Sequence, residues 1–259
     1  MTLFLRYAAK SDVGLVRSAN EDSGFAGHTL LAVADGMGGH AAGEVASRLA
    51  VQAIERVVAS TAPAGGSGLH GVDPDSTDAG MRTGAVTLLE AFREANRRIR
   101  EEIARELAVR GMATTASAVL LDPHGIPVVA HVGDSRVYLL HEGSLRRVTE
   151  DHSWVEEQVR AGIIDEAAAR SHPWRSVVTR ALNGGDDPRV DILDLPLAPG
   201  DRVVLCSDGL TAVVTEDRIR DAARRATSPE VLFSQLVAIA NAAGGPDNVT
   251  VVALDVHAA

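Results

Sequence analysis

The stretch LLAVADGMGGHAAG, residues 30–43, contains the pattern that decides the fold of this chain. Its apolar run, residues 30–34, predicts a buried strand that stops at a single carboxylate, Asp35. Three glycines follow within four residues, and a helix is predicted after them. A strand that ends in an acid and a permissive turn can hold an oxygen ligand at a sheet edge, where the backbone approaches a metal or a phosphate closely.

Composition limits the classes of protein that this chain can represent. It has 259 residues, a formal net charge of −10 and 46% apolar residues, with only 3% aromatic residues. The acidic balance argues against nucleic acid or an anionic membrane as the main partner. Cys206 is the only cysteine, which excludes an internal disulfide and a cysteine-based zinc site. No stretch approaches the roughly 18 consecutive apolar residues of a membrane span, and we expect a cytoplasmic protein.

The apolar periodicity predicts short strands separated by tight turns, with helices grouped in pairs. Helices are predicted at residues 41–58, 81–109, 216–225 and 229–243. Strands are predicted at residues 3–8, 24–34 (a hairpin), 116–121, 126–132, 137–140, 145–148, 190–195, 202–206 and 248–256. Residues 60–80, rich in Gly, Ser, Pro and Asp, predict a surface loop. This order favours antiparallel sheets with helices outside them over an alternating parallel fold.

Four acids occupy comparable positions beside predicted strands. Asp35, Asp134 and Asp208 each end an apolar run, and Asp247 directly precedes the last strand. In antiparallel sheets the end of one strand lies beside the start of its neighbour, so these four side chains can share one edge. Clustered carboxylates repel one another unless a cation lies among them. Oxygen ligands without cysteine or paired histidine favour Mg²⁺ or Mn²⁺ over zinc.

Arg17, in the segment GLVRSANED, supplies a positive charge suited to a phosphate group. Its planar guanidinium can bind two phosphate oxygens at once. Glu21 and Asp22 in the same segment are candidates for acids that hold metal-bound water behind the ligands. A single Asp-Gly pair or a single arginine is an ordinary surface feature, so the prediction of a site depends on the whole set of acids at strand ends.

Six motifs occur in order along the chain. They are SDVGLVRSANEDS at residues 11–23, ADGMGGHAAG at 34–43, GMATT at 111–115, HVGDSR at 131–136, CSDGL at 206–210 and GPDNVT at 245–250. Together they resemble the motifs of the metal-dependent type 2C protein phosphatases, and most closely the bacterial signalling branch. The resemblance implies an α+β fold with a central β-sandwich of two antiparallel sheets flanked by pairs of α-helices. It also implies a protein-serine/threonine phosphatase that uses a metal-activated water and reverses Ser/Thr kinase signalling.

Matched by position, the resemblance implies a role for each predicted metal ligand. Asp35 would bridge two Mn²⁺ or Mg²⁺ ions, and the carbonyl of Gly36 would bind one of them. Asp208 and Asp247 would complete the other site. Asp134, together with Asp208, would hold a third ion.

The resemblance also implies a substrate site and a domain organisation. Arg17 would bind the phosphate of phosphorylated proteins, kinases among them, and residues 151–187 would form a flap beside the site. Residues 1–259 would form a single catalytic domain, and we expect a monomer. Two positions depart from the family pattern: Ala113 replaces the commoner glycine, and Met37 stands where eukaryotic members carry a histidine proposed as general acid. The proton donor is therefore unassigned, with His40 and a metal-bound water as candidates.

Two other functions stay open from the sequence. The motif GMGGHA, residues 36–41, satisfies the G-x-G-x-x-G/A pattern of dinucleotide-binding proteins, and Glu55 lies about 20 residues further on. Against this function, Glu55 falls inside a predicted helix, and three of the four strand-end acids would have no role. The remaining alternative is a catalytically inactive binding module on the phosphatase fold.

Overall fold

The computed structural model describes residues 3–38, 41–61, 77–121 and 126–258. Its strands are β1 (Leu3–Asp12), β2 (Asp22–Ala26), β3 (Leu30–Met37), β4 (Ala113–Thr114), β5 (Ala116–Leu120), β6 (Val128–Val132), β7 (Arg136–His141), β8 (Ser144–Arg147), β9 (Asp191–Asp194), β10 (Arg202–Cys206) and β11 (Val249–Ala258). Its helices are α1 (Ala41–Thr61), α2 (Thr77–Arg105), α3 (Trp154–Arg160), α4 (Glu166–Ser171), α5 (Asp208–Thr211), α6 (Glu216–Arg225) and α7 (Pro229–Ala242).

The strands form two antiparallel sheets. One sheet has the order β1-β11-β10-β7-β8, and the other has the order β2-β3-β5-β6-β9, with β4 paired to the end of β3. Helices α1 and α2 cover the second sheet, whereas α6 and α7 cover the first. The predicted sandwich of two antiparallel sheets flanked by helix pairs is confirmed.

The alternation of side chains along each strand divides the core into three layers. On β3, Leu31 and Val33 pack between the two sheets, whereas Leu30 and Ala32 pack against α1 and α2. On β10, Cys206 packs in the layer beneath α6 and α7, where burial raises the pKa of its thiol to about 12. Each fully buried Val or Leu contributes roughly 1.5–3 kcal/mol, so a core with few aromatic residues is sufficient.

Helix α2 begins earlier than the sequence predicts. It starts at Thr77, so residues 77–80 of the predicted surface loop are helical. Residues 62–76 of that predicted loop, and the predicted turn at 122–125, lie outside the described residues.

Helix α2 also ends earlier than predicted. Glu106 adopts an extended conformation, and its carboxylate accepts a hydrogen bond of 3.1 Å from the backbone of Ala108. This bond caps a separate 3₁₀ turn, Leu107–Val109, so the α-helix stops at Arg105. Leu107 falls inside the helix predicted at residues 81–109, but it lies in this 3₁₀ turn and is 77% exposed.

Strand β3 extends past the acid at which the prediction ends it. It continues to Met37 because β4 pairs Gly36 with Thr114 and Met37 with Ala113. Asp35 therefore lies within a strand, two residues before its end. Among the helices of the described ranges, none is both long enough and apolar enough to cross a bilayer.

Candidate metal and phosphate site

A cleft of about 590 Å³ opens where strand ends of both sheets meet. Its lining includes seven of the eight predicted site residues: Arg17, Glu21, Asp35, Gly36, Asp134, Asp208 and Asp247. The four predicted acids come from both sheets. Asp35 lies on β3 and Asp134 follows β6 in one sheet, whereas Asp208 follows β10 and Asp247 precedes β11 in the other. Antiparallel pairing of β10 with β11 places the end of one strand beside the start of the next, as the sequence predicts.

The acids in the cleft are close enough to perturb one another. Burial raises the pKa of Asp35 well above its ordinary value, and the charges of Asp22, Asp208 and Asp134 raise it further. Burial also raises the pKa of Asp134, with Asp208 as the next cause, and the pKa of Asp208. A cation among these groups would favour their charged forms, because it would offset both the cost of burial and the repulsion between the carboxylates.

The donor set fits a hard divalent cation. The cleft offers carboxylate oxygens and the backbone of Gly36, and its lining within the described residues includes neither Cys nor His. Gly36 is required by its surroundings, since a Cβ atom there would lie 2.0 Å from the carbonyl oxygen of Gly43 and 2.7 Å from that of Glu21. The strand end can therefore approach the first turn of α1 only because this residue has no side chain.

Arg17 binds one of the predicted metal ligands. Its Nη2 donates to Asp247 Oδ2 over 2.7 Å, and this bond raises the pKa of the guanidinium. The side chains are 51% and 33% exposed, and an exposed pair of this kind contributes only about 0–1 kcal/mol. Among the described residues, no group of three or more His, Cys, Asp or Glu side chains is arranged so that it could hold a metal ion. One proposed ligand, Asp247, is instead paired with Arg17.

Glu21 and Asp22 take different places. Glu21 lines the cleft, and its backbone carbonyl accepts a hydrogen bond of 3.1 Å from Gly36. Asp22 is buried behind the cleft, opposite Asp35 in the pairing of β2 with β3, and accepts a bond of 2.7 Å from the Ser207 hydroxyl. Burial raises the pKa of Asp22 to about 7, although the hydrogen bonds of Ser207 and Thr250 oppose the shift. The structure thus places Glu21, but not Asp22, at the cleft surface.

Sequence reasoning assigned no role to Asn248, which organises the cleft. Its Oδ1 accepts from the backbone of Glu21 at 2.8 Å, and its Nδ2 donates to the carbonyls of Val13 and Ala19, each at 2.9 Å. These bonds hold the arginine-bearing segment against Asp247. The sequence does offer a signal for this residue, because Asn248 directly follows Asp247 at the start of an apolar strand, where its amide can bind backbone groups.

The segment between β8 and β9 forms part of the wall of the cleft. It contains α3 and α4, and its Ser176 and Val178 line the cleft. At one end, Arg136 holds Asp151 through a bidentate contact with bonds of 2.9 and 2.7 Å. At the other end, Asn96 on α2 binds the backbone of residues 183–185 through three hydrogen bonds. Both ends of the predicted flap, residues 151–187, are therefore anchored to the sandwich.

The dinucleotide-binding alternative conflicts with the fold. Strand β3 has antiparallel neighbours on both sides, β2 and β5, whereas the dinucleotide fingerprint belongs to a parallel βαβ unit. Glu55 lies inside α1, not at the end of a second strand. Residues 39–40, which include His40, lie outside the described residues.

A helix–sheet–sheet–helix sandwich with an acidic cleft lined by an arginine is the arrangement that the resemblance to the metal-dependent type 2C protein phosphatases implies. The sequence profile of the family Protein phosphatase 2C matches residues 18–241. The chain belongs to the protein phosphatase 2C family, which confirms the predicted resemblance.

Bacterial relatives and solved structures agree with this assignment. The chain is 42% identical over 259 residues to Serine/threonine protein phosphatase PstP of Mycobacterium tuberculosis, covering 99% of this chain and 46% of that protein. It is 33% identical to Serine/threonine phosphatase stp of Listeria monocytogenes, covering 95% of this chain and 94% of that protein. The crystal structure of M. tuberculosis PstP/Ppp matches with a TM-score of 0.86 at 39% identity over 100% of both chains.

A second solved structure is the catalytic domain of PstP in complex with two manganese ions. It matches with a TM-score of 0.82 at 39% identity, over 99% of this chain and 100% of that one. This chain spans about half the length of the PstP relative.

Proposed function

We propose that this chain is a protein-serine/threonine phosphatase that hydrolyses phosphoserine and phosphothreonine on proteins with Mn²⁺ or Mg²⁺. The observation that carries the proposal is the convergence of Asp35, Asp134, Asp208 and Asp247 on one cleft beside Arg17. Membership of the protein phosphatase 2C family supports it, as do the two manganese ions of the related PstP structure.

The proposed ligands divide between three ions. Asp35, the Gly36 carbonyl, Asp208 and Asp247 would hold two of them, and Asp134 with Asp208 would hold the third. When bound, such ions act as Lewis acids and lower the pKa of coordinated water.

The substrate phosphate is bound by Arg17. Since its pairing with Asp247 is half exposed and weak, a phosphate that offers two oxygens can replace the carboxylate at little cost. Asn248 keeps the arginine-bearing segment in place during this exchange, because its three hydrogen bonds do not involve Arg17. Met37 lines the cleft and has no acidic proton, so we assign protonation of the leaving group to water.

The wider assignment follows the same proposal. Residues 1–259 form one catalytic domain with its flap at 151–187, active as a monomer in the cytoplasm. Its substrates are phosphorylated proteins, including Ser/Thr kinases. The net charge of −10 supports protein over nucleic-acid substrates.

The test measures hydrolysis of p-nitrophenyl phosphate and of a phosphothreonine peptide with and without Mn²⁺. Asp208→Asn should abolish Mn²⁺-dependent hydrolysis of both substrates. Asp194→Asn is the matched control, because Asp194 also ends a strand but does not line the cleft, and it should retain activity. Hydrolysis that is independent of metal, or full activity of Asp208→Asn, refutes the proposal; binding of NAD without hydrolysis supports the dinucleotide alternative.

A further inference from the structure

Thr115 lies between two segments that carry proposed metal ligands. Strand β3 pairs with β4 through Gly36 and Thr114, and with β5 through Val33 and Ser117. Thr115, which joins β4 to β5, therefore lies opposite Asp35. Its side chain is 1% exposed, so every polar contact of its hydroxyl is made within the protein.

At this position a side chain replaces a backbone acceptor. The Thr115 N–H donates to the Asp35 carbonyl at 2.9 Å, as in a regular antiparallel pair. The Asp35 N–H, however, donates to Thr115 Oγ1 at 3.0 Å. The Thr115 carbonyl instead accepts the Thr114 hydroxyl at 2.8 Å. The Thr115 hydroxyl is therefore the group that satisfies the backbone N–H of Asp35.

The same hydroxyl reaches the turn that carries Asp134. Thr115 Oγ1 and Ser135 Oγ are 2.7 Å apart, and both side chains are buried. Gly133, with φ of +111°, packs so closely that a Cβ atom there would lie 2.5 Å from Thr115 Cβ. One hydroxyl thus contacts the backbone of Asp35 and the residue directly after Asp134.

We propose that Thr115 is a positioning residue that fixes Asp35 relative to Asp134 and thereby sets the affinity of the cleft for divalent cations. The inference rests on the proposed function, since it takes these two acids as metal ligands. Groups that hold ligands from behind typically change metal affinity by about 10–100-fold when they are removed. Thr115 is suited to this role because one atom restrains both strand ends.

The test compares Mn²⁺ binding, measured by calorimetric titration with MnCl₂, in the whole chain and two substituted forms. Thr115→Val keeps the shape of the side chain and removes the hydroxyl, and it should weaken Mn²⁺ binding by about tenfold or more. Thr115→Ser keeps the hydroxyl and should restore wild-type affinity. A side chain that served packing alone would give the reverse order, because valine fills the space better than serine.

Thr149→Val is the matched control. Thr149 is also 1% exposed, and its Oγ1 accepts the backbone N–H of Val137 at 3.0 Å, but it does not line the cleft. This variant should lower the melting temperature and leave Mn²⁺ affinity unchanged. Wild-type affinity in Thr115→Val, or an equal loss in Thr149→Val, overturns the inference.

A further variant decides the matter if Thr115→Val does not fold. Ser135→Ala keeps the bond between Asp35 and Thr115 and removes only the link to the Asp134 turn. Weaker Mn²⁺ binding by this variant supports the inference, and unchanged binding overturns it. A wild-type chain that binds no Mn²⁺ would refute the proposed function instead, so the two failures are distinguishable.

Discussion

Acid should destabilise this protein through His131, a buried histidine that is protonated less readily in the folded state than in the unfolded chain. It lies on β6 with no exposed surface, and its ring nitrogens contact the Ser117 hydroxyl at 2.8 Å and the Glu150 carbonyl at 2.9 Å. We assign the neutral tautomer that donates from Nε2 to Glu150 and accepts from Ser117 at Nδ1. Burial, helped by the neighbouring ring of His152, lowers the pKa of His131 to about 4, although the charges of Asp151 and Asp191 oppose the shift.

The sign and size of the effect follow from these pKa values. In the unfolded chain a histidine titrates near pH 6.5. Between this pH and the pKa of folded His131, the unfolded state therefore binds a proton that the folded state does not bind. Stability from neutral His131 is therefore complete above pH 6.5 and is lost as the pH falls toward 4. At pH 5 the loss amounts to about 2 kcal/mol for a folded pKa of about 4.

The assay is urea denaturation at pH 7.5 and pH 5.0 for wild-type protein and for His131→Gln. Titration of the carboxylates changes stability over the same range but is common to both proteins, so the comparison isolates His131. The wild type should lose about 2 kcal/mol more than the variant between the two pH values. His28→Gln, which replaces an exposed histidine, should lose as much as the wild type. An equal loss in wild type and His131→Gln would refute the reasoning.

Three further predictions concern the cleft and the core. Arg17→Ala should lower kcat/KM for a phosphothreonine peptide by about 10–100-fold, mainly through KM in steady-state kinetics, because charged hydrogen bonds to the phosphate are lost; an unchanged KM would contradict this role. Gly36→Ala should lower the free energy of unfolding, measured with denaturant, by more than about 3 kcal/mol, because the added Cβ would lie 2.0 Å from the Gly43 carbonyl oxygen. Wild-type stability of this variant would show that the strand end can move. Asp255→Ala should lower the free energy of unfolding by about 3–5 kcal/mol, because it leaves the charge of the buried Arg202 without its carboxylate. The double variant Arg202→Met/Asp255→Leu should recover most of this stability. A double variant as unstable as Asp255→Ala would contradict the explanation.

The strands that form the apolar layers of this protein could be predicted, because a short run of neighbouring residues is enough to indicate each one. Leu30 to Ala34 alternate between two apolar layers, and a buried strand needs only that short run to specify it. The acids at the strand ends were found in the same way, since each follows or precedes such a run. Helix ends were less predictable, as Leu107 shows: its spacing continues the helix, and only the capping bond of Glu106 ends it.

The sequence by itself determined the sandwich, its order of elements and the acids available to a cation. Only the tertiary structure decided how those acids are held. The pairing of Arg17 with Asp247 joins residues 230 positions apart, and the contact of Ser207 with Asp22 spans 185 positions. The Thr115 hydroxyl likewise serves Asp35 from 80 positions away. Such contacts depend on strand pairing across the whole chain, and no local pattern records which hydroxyl or amide will satisfy which buried group.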